Sequence, residues 1–202
     1  MFTGIIEALG KVLQVTKSED NLNLRMHCPF IHELQVDQSV AHNGVCLTVT
    51  EIDDKGYSVI AIRETLNITN LGRLEAGNRV NLERCMHLTD RLDGHMVQGH
   101  VDALGVLREI TPESGSWRLT FDYPAEFAPL LVHKGSVCIN GVSLTVIEPL
   151  RDSFQVAIIP YTWNHTQFHT LKCGDFVNLE FDILGKYVQR RMELQGNSII
   201  ID

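Results

Sequence analysis

The sequence predicts an all-β protein built as two barrels in tandem, on three observations. First, the chain repeats itself: Met1-Phe2-Thr3-Gly4-Ile5-Ile6-Glu7-Ala8-Leu9-Gly10 is echoed from Met96 to Gly105, at a register of 95. Farther on the register becomes 97, so that Asn43-Gly44-Val45-Cys46-Leu47-Thr48-Val49 returns as Asn140-Gly141-Val142-Ser143-Leu144-Thr145-Val146. Residues 76–83 return in the same way as residues 173–180, so two residues have been inserted early in the second copy. Second, each copy consists of short β-prone runs at roughly ten-residue spacing, separated by Gly and Asn turns, the pattern of sandwiches and barrels. Third, there is no βαβ unit, P-loop or GxGxxG segment to seat a dinucleotide or triphosphate.

Taken in order, residues 11–16 and 22–26 form an opening hairpin across the turn cluster Ser18-Glu19-Asp20-Asn21. Residues 36–40 lead to Asn43-Gly44, a dipeptide that favours positive φ between two strands. In the strand that follows, residues 45–52, Cys46 and Thr48 share one face while Leu47 and Val49 share the other. Asp53-Asp54-Lys55-Gly56 turns the chain into a strand over 57–62 that ends in Arg63-Glu64-Thr65, and Gly77-Asn78 opens a strand over 79–84 with Val80 and Leu82 inward. The second copy repeats this plan with a hairpin over 105–123 broken at residues 111–115, and a proline-initiated short helix over 124–131. The tail has no counterpart in the first copy. From Ile183 it places Leu184, Tyr187, Val188 and Met192 on one helical face, either to pack on a barrel or to serve assembly. The expected units are thus 1–95, 96–182 and a helical tail over 183–202.

Composition narrows the function. The 202 residues are 44% hydrophobic and 21% charged, which describes a globular protein with room for two cores. A net charge of -8 without any basic run argues against nucleic acid. The apolar runs are far short of the roughly 20 residues of a membrane span, and no signal pattern opens the chain, so the expected location is cytoplasmic with no membrane partner. The five cysteines are odd in number and never form CxxC, which speaks against a disulfide scaffold or a structural metal site. Cys46 stands apart from the others because it lies in the repeated motif, opposite Ser143.

Together the opening Met-Phe-Thr-Gly-Ile-Ile-Glu, the doubled Asn-Gly-Val-(Cys/Ser)-Leu-Thr-Val, and residues 94–102, Gly-His-Met-Val-Gln-Gly-His-Val-Asp, resemble the riboflavin synthases, the alpha-chain, lumazine-binding tandem-barrel family. Glu64-Thr65, Thr69-Asn70-Leu71-Gly72 and residues 80–84 extend the match, which covers residues 1 to about 190. The resemblance implies two homologous six-stranded Greek-key β-barrels with short helices and a C-terminal helix, assembled as a homotrimer whose active sites lie between neighbouring chains. It also implies a cofactor-free, metal-free transferase that dismutates 6,7-dimethyl-8-ribityllumazine. One molecule passes a four-carbon unit to another, giving riboflavin and 5-amino-6-(D-ribitylamino)uracil. Association with lumazine synthase, the preceding enzyme of the pathway, is a partnership the sequence leaves open.

The resemblance also carries site residues. Gly4, Ile5 and Ile6 in the first barrel and Gly99, His100 and Val101 in the second match the family's backbone contacts to ring and ribityl chain. Cys46, Leu47 and Thr48 match the first pocket strand, and Ser143, Leu144 and Thr145 the second. The following strands, Ile60, Ala61, Ile62, Arg63, Glu64 and Thr65, and Ala157, Ile158, Ile159, Pro160, Tyr161 and Thr162, match segments that close the pockets. Lys134 matches a ribityl-side contact. By role, His100 is the expected proton carrier, because imidazole titrates near neutral pH. Ser143 and Thr145 are the expected hydrogen-bond partners of the ring or of a nucleophile added at C7. Cys46 is either a nucleophile or pocket wall, and His95 is structural. Residues 161–169 depart from the family by lacking its usual acid before the threonine and the following Leu-Gly. The rival readings are a non-catalytic lumazine or flavin antenna protein, disfavoured by the presence of His100, Ser143 and Thr145, and a flavin reductase, disfavoured because no nicotinamide-binding domain follows.

Overall fold

In the computed structural model, which describes residues 1–196, the first repeat contributes strands β1 (Ala8–Ser18), β2 (Asn21–His27), β3 (Ser39–His42), β4 (Val45–Asp53), β5 (Gly56–Ala61) and β6 (Arg79–Arg84), with a six-residue helix α1 (Arg63–Ile68) before β6. These strands close into a barrel of order β1-β2-β5-β4-β3-β6. A bulge at Val12/Gln14 bends β1, which pairs with β6 over its first residues and with β2 over the rest. Asn43 (φ 48°) and Gly44 (φ 78°) make the tight turn expected of Asn-Gly.

The second repeat gives β7 (Ala103–Glu113), β8 (Ser116–Asp122), β9 (Ser136–Ile139), β10 (Val142–Thr145), β11 (Ser153–Ile158), α2 (Pro160–His165) and β12 (Phe176–Phe181), followed by α3 (Ile183–Gly196). Its sheet order, β10-β9-β12-β7-β8-β11, copies the first, but β10 stops at Thr145, whereas its counterpart β4 runs on to Asp53. One bridge, Ile147 to Gln155, is all that links the continuation of β10 to β11. Glu148 has left-handed φ (46°) and Pro149 has no N–H to donate, so the ladder cannot continue there.

Three local expectations are corrected. The strands expected over 60–65 and 157–162 end at Ala61 and Ile158. Ile62 and Ile159 are extended N-cap residues, and Arg63, Glu64 and Thr65, like Pro160, Tyr161 and Thr162, lie in the first turn of a helix. Pro160 suits that place because a first-turn N–H has no intrahelical partner. The break expected over 111–115 shrinks to the turn at Ser114-Gly115, with Pro112 still paired to Trp117. The helix expected over 124–131 is a 3-10 segment, Ala125–Leu130, interrupted by Pro129.

Alternation puts Leu24, Met26, Leu47, Val49, Tyr57 and Val59 in the first core, and Leu119, Phe121, Ile139, Phe154, Val156 and Phe181 in the second. Between the halves lie Phe2, Ala41, Val97 and Cys138, with Phe2 and Val97 exchanging both backbone hydrogen bonds. An asparagine seam continues this contact: Asn81 Nδ2 donates to the Asn140 carbonyl and Asn178 Nδ2 to the Asn43 carbonyl, each at 2.8 Å. Helix α3 is tied to the second half by the Lys186–Asp102 ion pair (2.6 Å) and leaves Leu184, Tyr187, Val188 and Met192 exposed. The tail beyond residue 196 lies outside the described residues. No helix of the described residues is long and apolar enough to cross a membrane.

Candidate functional site

Two glycine turns organise the site. Gly4 (φ 78°) and Gly99 (φ 81°) occupy the left-handed region, where glycine is unstrained. Each turn is held by a buried carboxylate from its own half. Glu83 on β6 accepts from the Thr3 N–H and hydroxyl and, at 3.0 Å, from the Gly4 N–H. Glu180 on β12 accepts from the N–H groups of Gln98, Gly99 and His100. Burial pushes both carboxyls above the usual range, and the donated hydrogen bonds oppose the push.

Each turn then docks on the opposite half. The Gly4 carbonyl accepts from the Ser143 N–H (2.8 Å), and the Gly99 carbonyl from the Cys46 N–H (2.9 Å). A Cβ on Gly4 would stand 2.6 Å from the Ser143 Cβ, and one on Gly99 2.5 Å from that of Cys46. The expectation of Gly4–Ile6 in the first barrel and Gly99–Val101 in the second is thereby corrected. The exchange is possible because the left-handed glycines let backbone lie directly on the neighbouring strand.

Beside each docked turn lies the outer face of two neighbouring strands, β4 and β5 in the first half, β10 and β11 in the second. In the first half Cys46 is half-buried, while Thr48, Ile60 and Ile62 are exposed and Thr65 in α1 is half-buried. In the second, Ser143 is half-buried, Thr145, Ala157, Ile159 and Tyr161 are exposed, and Thr162 is half-buried. Apolar residues exposed around a few hydroxyls, as here, make a candidate surface for a small ligand with an apolar face and polar groups. Ile5, Arg63, Glu64, Pro160 and Lys134 are exposed around these surfaces, and the Lys134 N–H donates to the Val146 carbonyl one residue beyond Thr145. Leu47, Ala61, Val101 and Ile158 instead point into the cores, while Ile6 and Leu144 pack against the second core, so their side chains hold the walls up from behind.

The structure separates the expected catalytic groups. His100 is exposed, and its turn docks beside Cys46, away from Ser143. The histidine that meets Ser143 is His95, whose Nδ1 lies 2.7 Å from Oγ. His95 lies just ahead of the second repeat, within the stretch 94–102 that resembles the family, where the role expected from the sequence is structural. A Cβ on Gly94 would strike the Thr3 carbonyl and lie 2.9 Å from the Ser143 Cβ. Burial lowers the His95 imidazole below its ordinary value, with Asp182 opposing. Burial also raises the Cys46 thiol, so Cys46 is a protonated wall residue at neutral pH and a poor nucleophile. The second half is further distinguished by Trp117 stacked on Trp163, with ring centroids 4.4 Å apart.

A cavity of about 940 Å³ runs along the first turn, lined by Thr3, Ile5, Ser39, Glu83 and Cys85 among others, and reaches Ser39, the strand partner of Thr48. A second, of about 620 Å³, lies at the seam between the halves near Asn43, Arg73 and Phe176 and includes none of the expected site residues. Among the described residues no group of three or more His, Cys, Asp or Glu is placed to hold a metal.

Comparison with known proteins agrees with this division. The family model described as Lumazine binding domain matches twice, over residues 3–85 and 98–182. The chain is 42% identical to riboflavin synthase of Mycobacterium tuberculosis over 202 aligned residues, covering 97% of this chain and 100% of that one. It is 39% identical to riboflavin synthase of Actinobacillus pleuropneumoniae, covering 94% and 89%. Among solved structures, LumP complexed with 6,7-dimethyl-8-(1'-D-ribityl) lumazine superposes with a TM-score of 0.81 at 25% identity, over 89% of this chain and 98% of that one. LumP complexed with riboflavin superposes with a TM-score of 0.84 at 24% identity, over 90% and 99%, which shows the shared fold.

Proposed function

The chain belongs to the riboflavin synthase family of lumazine-binding proteins, and from this premise we propose how its two surfaces divide the work of one transferase reaction. Two molecules of 6,7-dimethyl-8-ribityllumazine react: one gives up a four-carbon unit as 5-amino-6-(D-ribitylamino)uracil leaves, and the other becomes riboflavin. The observation that carries the reading is the double family match, each copy supplying one outer strand face with its hydroxyl or thiol and one glycine turn docked on the other copy's face.

Each surface holds one lumazine, with residues 1–95 and 96–182 as the two binding units. The Gly4 and Gly99 turns set the depth of the surfaces. Isoleucines 60, 62 and 159 contact the ring, and Thr48, Thr65, Thr145 and Thr162 the polar edges and ribityl hydroxyls. Orienting the two rings converts an encounter of two small molecules into a reaction within one complex. The C7 methyl of the substrate is acidic, so the chain needs to hold the carbanion form and place a proton carrier more than it needs a strong base. Ser143 supplies the fixed hydroxyl for this, and exposed His100 is the mobile proton carrier at the other surface. The face of Leu184, Tyr187, Val188 and Met192 on α3 is the assembly element of a homotrimer, which brings the first surface of one chain to the second surface of its neighbour.

The test is to incubate the purified protein with 6,7-dimethyl-8-ribityllumazine, without cofactor, and separate the products. One riboflavin and one pyrimidinedione per two lumazines consumed is the expected result. Binding without conversion would instead make the chain a carrier.

A further inference from the structure

We infer that His95 is a positioning residue for Ser143: its Nδ1 accepts the Ser143 hydroxyl proton, so that the serine oxygen faces the second surface as an acceptor and selects a proton-bearing group of the bound ligand. The inference rests on the reading above that this surface binds a lumazine, whose ring N–H, ribityl hydroxyls or a hydroxyl added at C7 are the groups that could donate.

Both partners are fixed by the same short stretch of backbone. The His95 N–H donates to the Thr3 carbonyl at 3.1 Å, and the Ser143 N–H to the adjacent Gly4 carbonyl at 2.8 Å. That leaves Nδ1 and Oγ 2.7 Å apart, a short hydrogen bond, with His95 only 8% exposed. Room for the approach exists because Gly94 has no side chain to lie against Thr3 and Ser143. Burial favours the neutral imidazole, which has one acceptor nitrogen. A serine has a single proton, and if His95 takes it, only lone pairs remain for the ligand.

The charged groups around the pair are few. Asp182, between β12 and α3, acts on His95 and favours its protonated form. Glu83 of β6 is engaged with Thr3 and Gly4. Among the described residues Cys46 has no histidine hydrogen-bonded to it, so the pair belongs to the second surface alone. Protonating His95 would put a proton on Nδ1, reverse the hydrogen bond and turn the serine proton toward the ligand.

The deciding experiment follows the imidazoles by nitrogen NMR through a pH titration, in the wild type and in Ser143→Ala, with the His95 signal assigned by its loss in His95→Asn. If the serine donates to Nδ1 it stabilises the neutral ring, so Ser143→Ala should raise the His95 midpoint by about 0.5–1 pH unit. An unchanged or lowered midpoint overturns the inference. In turnover, the wild type should lose kcat on the acid side of the ordinary imidazole value. His95→Asn, which keeps an acceptor but cannot titrate, should flatten that limb with KM little changed, and His95→Phe should lose at least about tenfold in kcat at every pH. An acid limb that persists in His95→Asn also overturns it. A wild type that makes no riboflavin rejects the reaction, while the NMR comparison still decides the hydrogen bond.

Discussion

The cores of the two barrels differ where their sequences otherwise run parallel. In the first, His42 and Tyr57 are fully buried and bonded to each other, Nε2 to the phenol oxygen at 2.9 Å, with Nδ1 on the Val40 carbonyl at 3.0 Å. At the register of 97 their counterparts are Ile139 and Phe154, which pack in the second core with nothing to titrate. The outer surfaces reverse this contrast: the first presents a thiol raised by burial, the second a serine paired with a histidine. Duplication therefore preserved backbone and turn chemistry while the polar chemistry moved, into the core of one half and onto the surface of the other.

The contrast breaks most visibly in acid. His42 is pushed down to about 4 by burial, against an ordinary value of 6.5. The unfolded chain takes up a proton below 6.5 and the native state does not until near 4, so stability present above pH 6.5 is lost as pH falls toward 4, by about 3 kcal/mol. Glu83 and Glu180, raised by burial, work in the opposite direction, but each half has one. Urea unfolding at pH 7 and pH 4 should show a loss about 3 kcal/mol larger in the wild type than in His42→Ile/Tyr57→Phe, which copies the second core and keeps the smaller share due to buried His95. A loss of the same size in the double variant would mean that His42 is not its source.

Next in size are the docked turns. Gly4→Ala and Gly99→Ala each force a left-handed alanine and a Cβ overlap, shifting a surface by enough to cut turnover by about a hundredfold. Turnover within a few-fold of wild type would show that the turns tolerate a side chain. Below these comes the chemical contrast: Ser143→Ala should cost at least about tenfold in kcat, while Cys46→Ala should cost less than about threefold. Equal losses would mean the two surfaces share the chemistry equally. The smallest effect is at the seam, where Asn140 Nδ2 donates to Gln167 but Asn43 Nδ2 has no partner among the described residues, Asn70 standing where the second half has Gln167. Asn70→Gln should add up to about 1 kcal/mol in the same urea assay, and destabilisation would show that the Asn70 contacts to Asn140 and Asn178 matter more.

Much of this was legible in the sequence. The doubled Asn-Gly fixed the position of two tight turns, and alternation in residues 45–52 separated Leu47 and Val49 from Cys46 and Thr48. The gap beside β10 was not read from the sequence, although Pro149 stands where the first half has Ile52. The exchange of the glycine turns was not legible. Homology says that Gly4 corresponds to Gly99, not which strand either one touches, and that is settled by contacts about 140 residues apart in the chain for Gly4 and about 50 for Gly99. His95 was expected to be structural for a related reason, since it sits in the connection between copies, where no periodicity shows which strand it meets. Helices α1 and α2 are six residues each, too short to carry a helical period.

Each surface is completed by a turn from the other half, and the two tryptophans, Trp117 and Trp163, both in the second half, allow a direct test. Riboflavin or the lumazine should bind at two sites per chain, measured by equilibrium dialysis, and one of these should quench tryptophan fluorescence. Gly4→Ala, a change in the first half, should remove the site that quenches the tryptophans, and Gly99→Ala should remove the other. Loss of quenching in Gly99→Ala with quenching intact in Gly4→Ala would contradict the exchange of turns.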